Sequence, residues 1–122
     1  PGVTRVLYPG LPSFLGYQLA SEQMSGFGGM MTIEIAGGGP TATAVADNLR
    51  IFLLATSLGG VESLVSQPSV TSHHDIGKEE REKRGISDGM LRLSIGLEDP
   101  SDLIADLQQA IDTARANSDL AR

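Results

Sequence analysis

Arg92 stands inside an otherwise apolar run, Met90 to Leu97, in which Leu91, Leu93, Ile95 and Leu97 alternate with other residues at period two. The pattern predicts a β-strand that turns those four residues to a core and sets Arg92 and Ser94 on the opposite face. A guanidinium fork in that position takes a carboxylate through two parallel N–H donors, with a hydroxyl beside it. The ligand this suggests is a small acid. The competing account is a half-buried antiparallel strand whose polar face only meets water.

The other candidate chemistry is weaker. Gly26, Gly28 and Gly29 introduce Met30–Ile35, an alternating strand pattern and not a helix that could hold a phosphate, so they are expected as turn glycines. Gly37 to Gly39 precede a helix, but no Lys-Ser/Thr pair follows. His73, His74 and Asp75 are adjacent, and in an extended segment neighbouring side chains point to opposite sides; with no cysteine and no third histidine, a metal site is not expected. Residues 78 to 84 interleave Lys78, Arg81, Lys83 and Arg84 with Glu79, Glu80 and Glu82 at the spacing of solvated helical ion pairs.

The elements that must position Arg92 alternate between strand and helix. Val3 to Tyr8 is expected as a strand, followed by Pro9, Gly10 and Pro12 as breakers. Ser13 is expected to cap a helix to about Met24, with Leu15, Leu19 and Gln23 on one stripe. Ala42, Val45, Ala46, Leu49 and Phe52 repeat at helical spacing over Thr41 to Leu53. Short extended pieces are expected at 53–55, 64–66 and 70–72, then a charged helix ended by Gly85. A last helix is capped by Asp99, with Pro100 at its first position and Leu103, Ile104, Leu107, Ala110, Ile111 and Ala114 on one face. This order predicts one α+β domain over residues 1–122: a small, largely antiparallel sheet with helices packed on one face.

Length and composition agree with that reading. A chain of 122 residues, 40% hydrophobic and 20% charged, suffices for one core. No run approaches the ~18 apolar residues of a membrane span, no leader pattern is present, and a cytoplasmic protein is expected. The absence of cysteine removes disulfides, thiolate metal sites and cysteine nucleophiles. A net charge of −6, with the basic residues interleaved among acidic ones, offers no nucleic-acid surface.

Together the residues carry a resemblance. Tyr8-Pro9-Gly10-Leu11-Pro12-Ser13, then Gln23, Met24 and Gly26 to Met30, then Ser57-Leu58-Gly59-Gly60-Val61-Glu62-Ser63, Pro68, His73, Gly85 to Asp88 and the Arg92 strand through Asp99 resemble the C-terminal domain of the transsulfuration family. These are pyridoxal-phosphate enzymes of fold type I, such as cystathionine γ-synthase and γ-lyase, methionine γ-lyase and the O-acylhomoserine sulfhydrylases. The resemblance runs from about Val3 to Ile111. It departs at Phe14 to Tyr17, where the family usually has a His/Pro-containing stretch, and at Ser72, where a threonine commonly precedes the matching histidine.

The resemblance implies that Arg92 holds the α-carboxylate of an amino-acid substrate and that Ser57 lies beside it in a binding role. Thr56 takes the place where some cystathionine-specific relatives carry a glutamate for the distal ammonium, a charge threonine lacks. It also implies pyridoxal 5'-phosphate held on a lysine. The only lysines are Lys78 and Lys83, both among glutamates, so the chain is expected to be the small domain of a larger, homotetrameric enzyme, inactive alone and joined to its own N-terminal cofactor domain. The alternative is a free-standing α+β domain that captures a small acid without turnover.

Overall fold

The computed structural model describes residues 1–120 and has five strands and four helices in the order β1 (Val3–Leu7), α1 (Tyr17–Gln23), β2 (Met30–Ile35), α2 (Gly38–Asn48), β3 (Leu53–Leu54), β4 (Leu64–Ser66), α3 (Lys78–Lys83), β5 (Met90–Ser94) and α4 (Pro100–Leu120). The strands form one sheet in the order β1-β2-β5-β4-β3. All neighbouring pairs are antiparallel except β3 with β4. The α+β class and the largely antiparallel sheet are as the sequence predicts. The strand that carries Arg92 lies at the centre.

One face of the sheet is closed by α2 and α4. Leu91 and Leu93 of β5 are fully buried there with Ile33, Val65, Val45, Ala110 and Ala114. Each fully buried leucine contributes about 1.5–3 kcal/mol of transfer free energy. Asp99 caps α4 as expected: its carboxylate accepts from the Ser101 backbone N–H at 2.8 Å and from the Ser101 hydroxyl at 2.6 Å. Gly85, in the left-handed region at φ 76°, ends α3, where the Ile86 N–H returns to the Arg81 carbonyl.

Several sequence expectations are corrected. The first helix begins at Tyr17, because residues 8–17 instead form successive turns, Leu11 to Tyr8, Phe14 to Leu11 and Tyr17 to Phe14. Ser13 is no cap, and the supposed stripe is exposed, Leu15 completely. Helix α2 starts earlier, at Gly38, and ends at Asn48, since Leu49 is already extended. Residues 70–72 are turns folded back on Gln67, not a strand. Strand β5 stops at Ser94 and Leu97 is exposed; between them Gly96 passes so close to the Val61 carbonyl and the Glu62 backbone that no Cβ fits.

A buried carboxylate joins the two long helices. Asp106 of α4 accepts backbone N–H bonds from Arg50, Ile51 and Phe52, at 2.8–3.2 Å, as the chain leaves α2, while Gln109 donates to it and to the Asn48 carbonyl. Burial pushes the Asp106 carboxyl up, but the N–H groups of Ile51, Arg50 and Phe52 and the Gln109 amide together outweigh it and hold the group below its usual range. Asp106→Ala, which strands those donors, is expected to destabilise the fold by about 3 kcal/mol in urea denaturation. A carboxyl depressed in the folded state contributes fully above its unfolded value of about 3.9, and that contribution is lost as pH falls through the folded value. Below about pH 4 the difference in stability between wild type and Asp106→Asn is therefore expected to narrow.

Candidate functional site

The face of the sheet opposite the long helices carries Leu7, Thr32, Arg92 and Ser66 in one row, set by the registers Leu7↔Thr32, Thr32↔Arg92 and Ser66↔Arg92. The residues flanking Arg92 along the strand on that face are not open to water: Met90 is 3% and Ser94 2% exposed. Residues 56–62 and the 67–89 segment pass over that side of β5, so the account of a polar face turned to solvent does not hold.

Arg92 is half-buried and its fork is partly engaged. One terminal nitrogen, Nη2, donates to the Thr56 carbonyl at 2.5 Å and to the Ser57 carbonyl at 3.0 Å. Among the described residues the buried Nε has no partner. Thr56 and Ser57 thus meet Arg92 through their main chain, while their side chains are exposed. Ser94, predicted beside Arg92 as a ligand hydroxyl, instead accepts the Gly59 N–H at 2.9 Å. It fastens the very loop whose carbonyls aim the arginine. A second tie secures the loop's far end: Glu98 accepts from the Ser63 N–H and hydroxyl, both at 2.7 Å, and the Ser63 hydroxyl accepts from the Gly96 N–H at 2.9 Å. The Ser63 backbone N–H and hydroxyl hold the Glu98 carboxyl below its ordinary range.

Two depressions flank Arg92. One, of about 310 Å³, has apolar walls of Leu7, Phe14, Met30 and Met31. The other, of about 290 Å³, lies toward α3 and is lined by His73, Arg84, Ile86 and Met90 among others. That His73 lines the same depression as Arg92 is not legible in the sequence, because the turns at 67–76 that carry it have no periodic signal.

The charged helix is mostly as predicted, with Lys83–Glu79 and Arg84–Glu80 at 3.0 Å. Arg81 is the exception. It points inward, donating to the Ile76 carbonyl at 2.6 Å and to Asp88 at 2.7 Å. The Arg81 guanidinium holds the Asp88 carboxyl below its ordinary range against the opposing effect of burial, with Lys78 assisting. His74 faces Asp75 at 3.6 Å, and no group of three metal-ligating side chains occurs among the described residues. No described helix is long and apolar enough to cross a membrane.

Residues 1–112 match the family of Cys/Met metabolism PLP-dependent enzymes. The chain belongs to that family. Within it, the chain is 48% identical over 112 residues to a cystathionine γ-lyase of Dictyostelium discoideum, covering 92% of this chain and 29% of the relative. It is 45% identical over 112 residues to an L-methionine γ-lyase of Fusobacterium nucleatum, covering 92% of this chain and 28% of that enzyme. Its fold superposes with a TM-score of 0.87 on cystathionine γ-synthase from Xanthomonas oryzae, solved in complex with cystathionine, at 47% identity over 94% of this chain and 30% of that one. The chain therefore spans less than a third of the length of the relatives it matches.

The family's cofactor needs a lysine free to form an imine, and the lysines present do not fit that role. Lys78 lies 3.3 Å from Asp88 and 3.8 Å from Glu82, and Lys83 lies 3.0 Å from Glu79. Both side chains are largely exposed and held by carboxylates, not enclosed in the apolar setting that an imine-forming lysine needs.

Ser94→Ala tests the fastening of the loop. It removes the acceptor of the Gly59 N–H, a bond worth about 1 kcal/mol, so hydrogen exchange at the Gly59 amide should quicken about fivefold while amides of α2 and α4 keep their rates.

Proposed function

We propose that this chain is the small C-terminal domain of a pyridoxal-phosphate-dependent transsulfuration enzyme. The intact enzyme would carry out γ-elimination or γ-replacement on a sulfur amino acid or an O-acylhomoserine. The observation that carries the reading is the central, half-buried Arg92, fixed by two main-chain carbonyls with part of its fork left unpaired, in a chain of this family. In this role Arg92 grips the α-carboxylate of the amino acid and so orients it, and the Ser57 and Thr56 side chains border the same ligand. The lysine, the pyridine-nitrogen partner and the phosphate seat of the cofactor then fall to an N-terminal cofactor domain outside this chain. The reading extends to a cytoplasmic homotetramer. Apolar side chains left open at Leu15, Leu19, Leu58, Val61 and Leu97 support burial against further polypeptide.

Substrate choice is assigned to Thr56. A distal ammonium entering a closed site must be solvated or paired, and a hydroxyl compensates it less well than a carboxylate. Methionine or an O-acylhomoserine is therefore favoured over cystathionine.

Arg92→Lys keeps the charge and loses the planar fork. In the full-length enzyme it should lower kcat/KM by about 30-fold or more, corresponding to about 2–5 kcal/mol for breaking a charged, two-point hydrogen bond in a desolvated site, with the fold unchanged by circular dichroism. Unaltered efficiency would remove Arg92 from the substrate. Thr56→Glu should raise the ratio of kcat/KM for cystathionine over that for methionine, and a flat ratio would detach Thr56 from the distal end of the substrate.

A further inference from the structure

The loop whose carbonyls hold Arg92 has almost nothing apolar to rest on. From Thr56 to Glu62 every residue is exposed, Leu58 and Val61 included. Its position is therefore set by hydrogen bonds and not by packing. Three ties join it to β5 and the residues that follow: the Gly59 N–H to the Ser94 hydroxyl at 2.9 Å, the Leu97 N–H to the Val61 carbonyl at 2.8 Å, and the Glu98 carboxylate at Ser63. The last differs in kind from the other two. The ladder between β4 and β5 ends at the pair Leu64↔Ser94, and where a further rung would lie, side chains take over. Ser63 is completely buried; its N–H and hydroxyl both donate to Glu98 at 2.7 Å, and its hydroxyl accepts from the Gly96 N–H at 2.9 Å. The Ser63 carbonyl accepts from the Leu53 N–H at 2.9 Å, so the same residue also fixes the strand from which the loop departs. A carboxylate that accepts two bonds from one residue holds it in direction as well as distance, and ionised acceptors make the stronger bonds.

We propose that Glu98 is a positioning residue for Arg92. Acting through Ser63, it sets where the 56–62 loop stands, and with it the Thr56 and Ser57 carbonyls that direct the guanidinium. In this role Glu98 touches no ligand and reaches the arginine only through the main chain of the loop. The inference rests on the reading of Arg92 as a carboxylate anchor and adds the residue that keeps the anchor aimed. Without Glu98 the loop retains its tie to Ser94 but loses its fixed exit into β4. The carbonyls at Nη2 then spread over more positions, and the fork meets a carboxylate squarely in fewer of them. The loss falls on substrate capture, hence on KM before kcat.

The test is a double-mutant cycle in the full-length enzyme, with kcat/KM measured on whichever of cystathionine and methionine it turns over faster. Glu98→Ala should lower kcat/KM about tenfold, chiefly through KM, the size expected for losing a charged hydrogen-bond acceptor. Glu98→Gln keeps one acceptor oxygen and should lower it about threefold. In both variants hydrogen exchange, read by mass spectrometry, should quicken in a peptide spanning 56–62 and stay unchanged in α2. On the Arg92→Lys background, where the fork is already lost, Glu98→Ala should cost less than about twofold. Ser63→Ala gives the same read-outs from the other side of the bond should Glu98→Ala fail to fold. If Arg92→Lys lowers kcat/KM but Glu98→Ala costs as much on that background as on the wild type, Glu98 acts on something other than Arg92 and the proposal is wrong while the anchor stands. An unaltered KM in Glu98→Ala, with or without faster exchange in the loop, overturns it as well. If Arg92→Lys changes nothing, the anchor itself fails and the positioning role falls with it.

Discussion

The structure is organised by the burial of one central strand on both of its faces. Strand β5 lies between β2 and β4, with Leu91 and Leu93 sealed beneath the helices and Met90 and Ser94 sealed beneath loops. A polar residue placed between such neighbours must find partners in the chain that covers it, because desolvating a guanidinium without partners is costly. The loop at 56–60 meets that demand with two carbonyls, and the loop in turn needs an anchor, which Ser94 provides from the same strand. Strand, arginine and loop therefore form a closed cycle of dependence. Only the part of the fork that the loop leaves unpaired is available for a ligand.

Main-chain groups of neighbouring segments are satisfied in the same way elsewhere. Gln67, 5% exposed, donates to the carbonyls of Gly39 and Asp88 and accepts from the Thr43 hydroxyl, joining the end of β4 to the start of α2 and the approach to β5. Asp106 does the equivalent for the exit from α2. These buried polar side chains stand where irregular backbone passes through the interior. Each converts a potential orphan donor or acceptor into a fixed joint.

How far the sequence discloses this architecture depends on whether a residue acts through periodicity or through topology. The apolar period places β2 and β5, the stripe of α4 places Leu103, Ala110, Ile111 and Ala114 in the core, and the Asp99-Pro100 start of that helix is legible from capping chemistry. The position of Arg92 is legible too. Its surroundings are not, since its hydrogen-bond acceptors lie 35 and 36 positions away in sequence, in a loop whose glycines and serines carry no period. Ser94 shows the limit well: its face follows from the alternation, but its partner is a backbone amide that no side-chain pattern reveals. The discrepancy at residues 13–24 has the opposite origin. Leu15 and Leu19 have helical spacing, yet Pro9, Gly10, Pro12 and Gly16 break the segment into turns and no core lies beneath it.

The Arg92 clasp is made of peptide carbonyls, and every amino acid brings the same carbonyl. Whatever side chain stands at positions 56 and 57, the acceptors at Nη2 are chemically unchanged, so long as Ser94 holds the loop. Under the proposed function, anchoring and selectivity would fall to different parts of the same two residues, one to the invariant backbone and the other to the exchangeable side chains. Substitution at either position would then revise what the rim prefers without changing how the arginine is aimed.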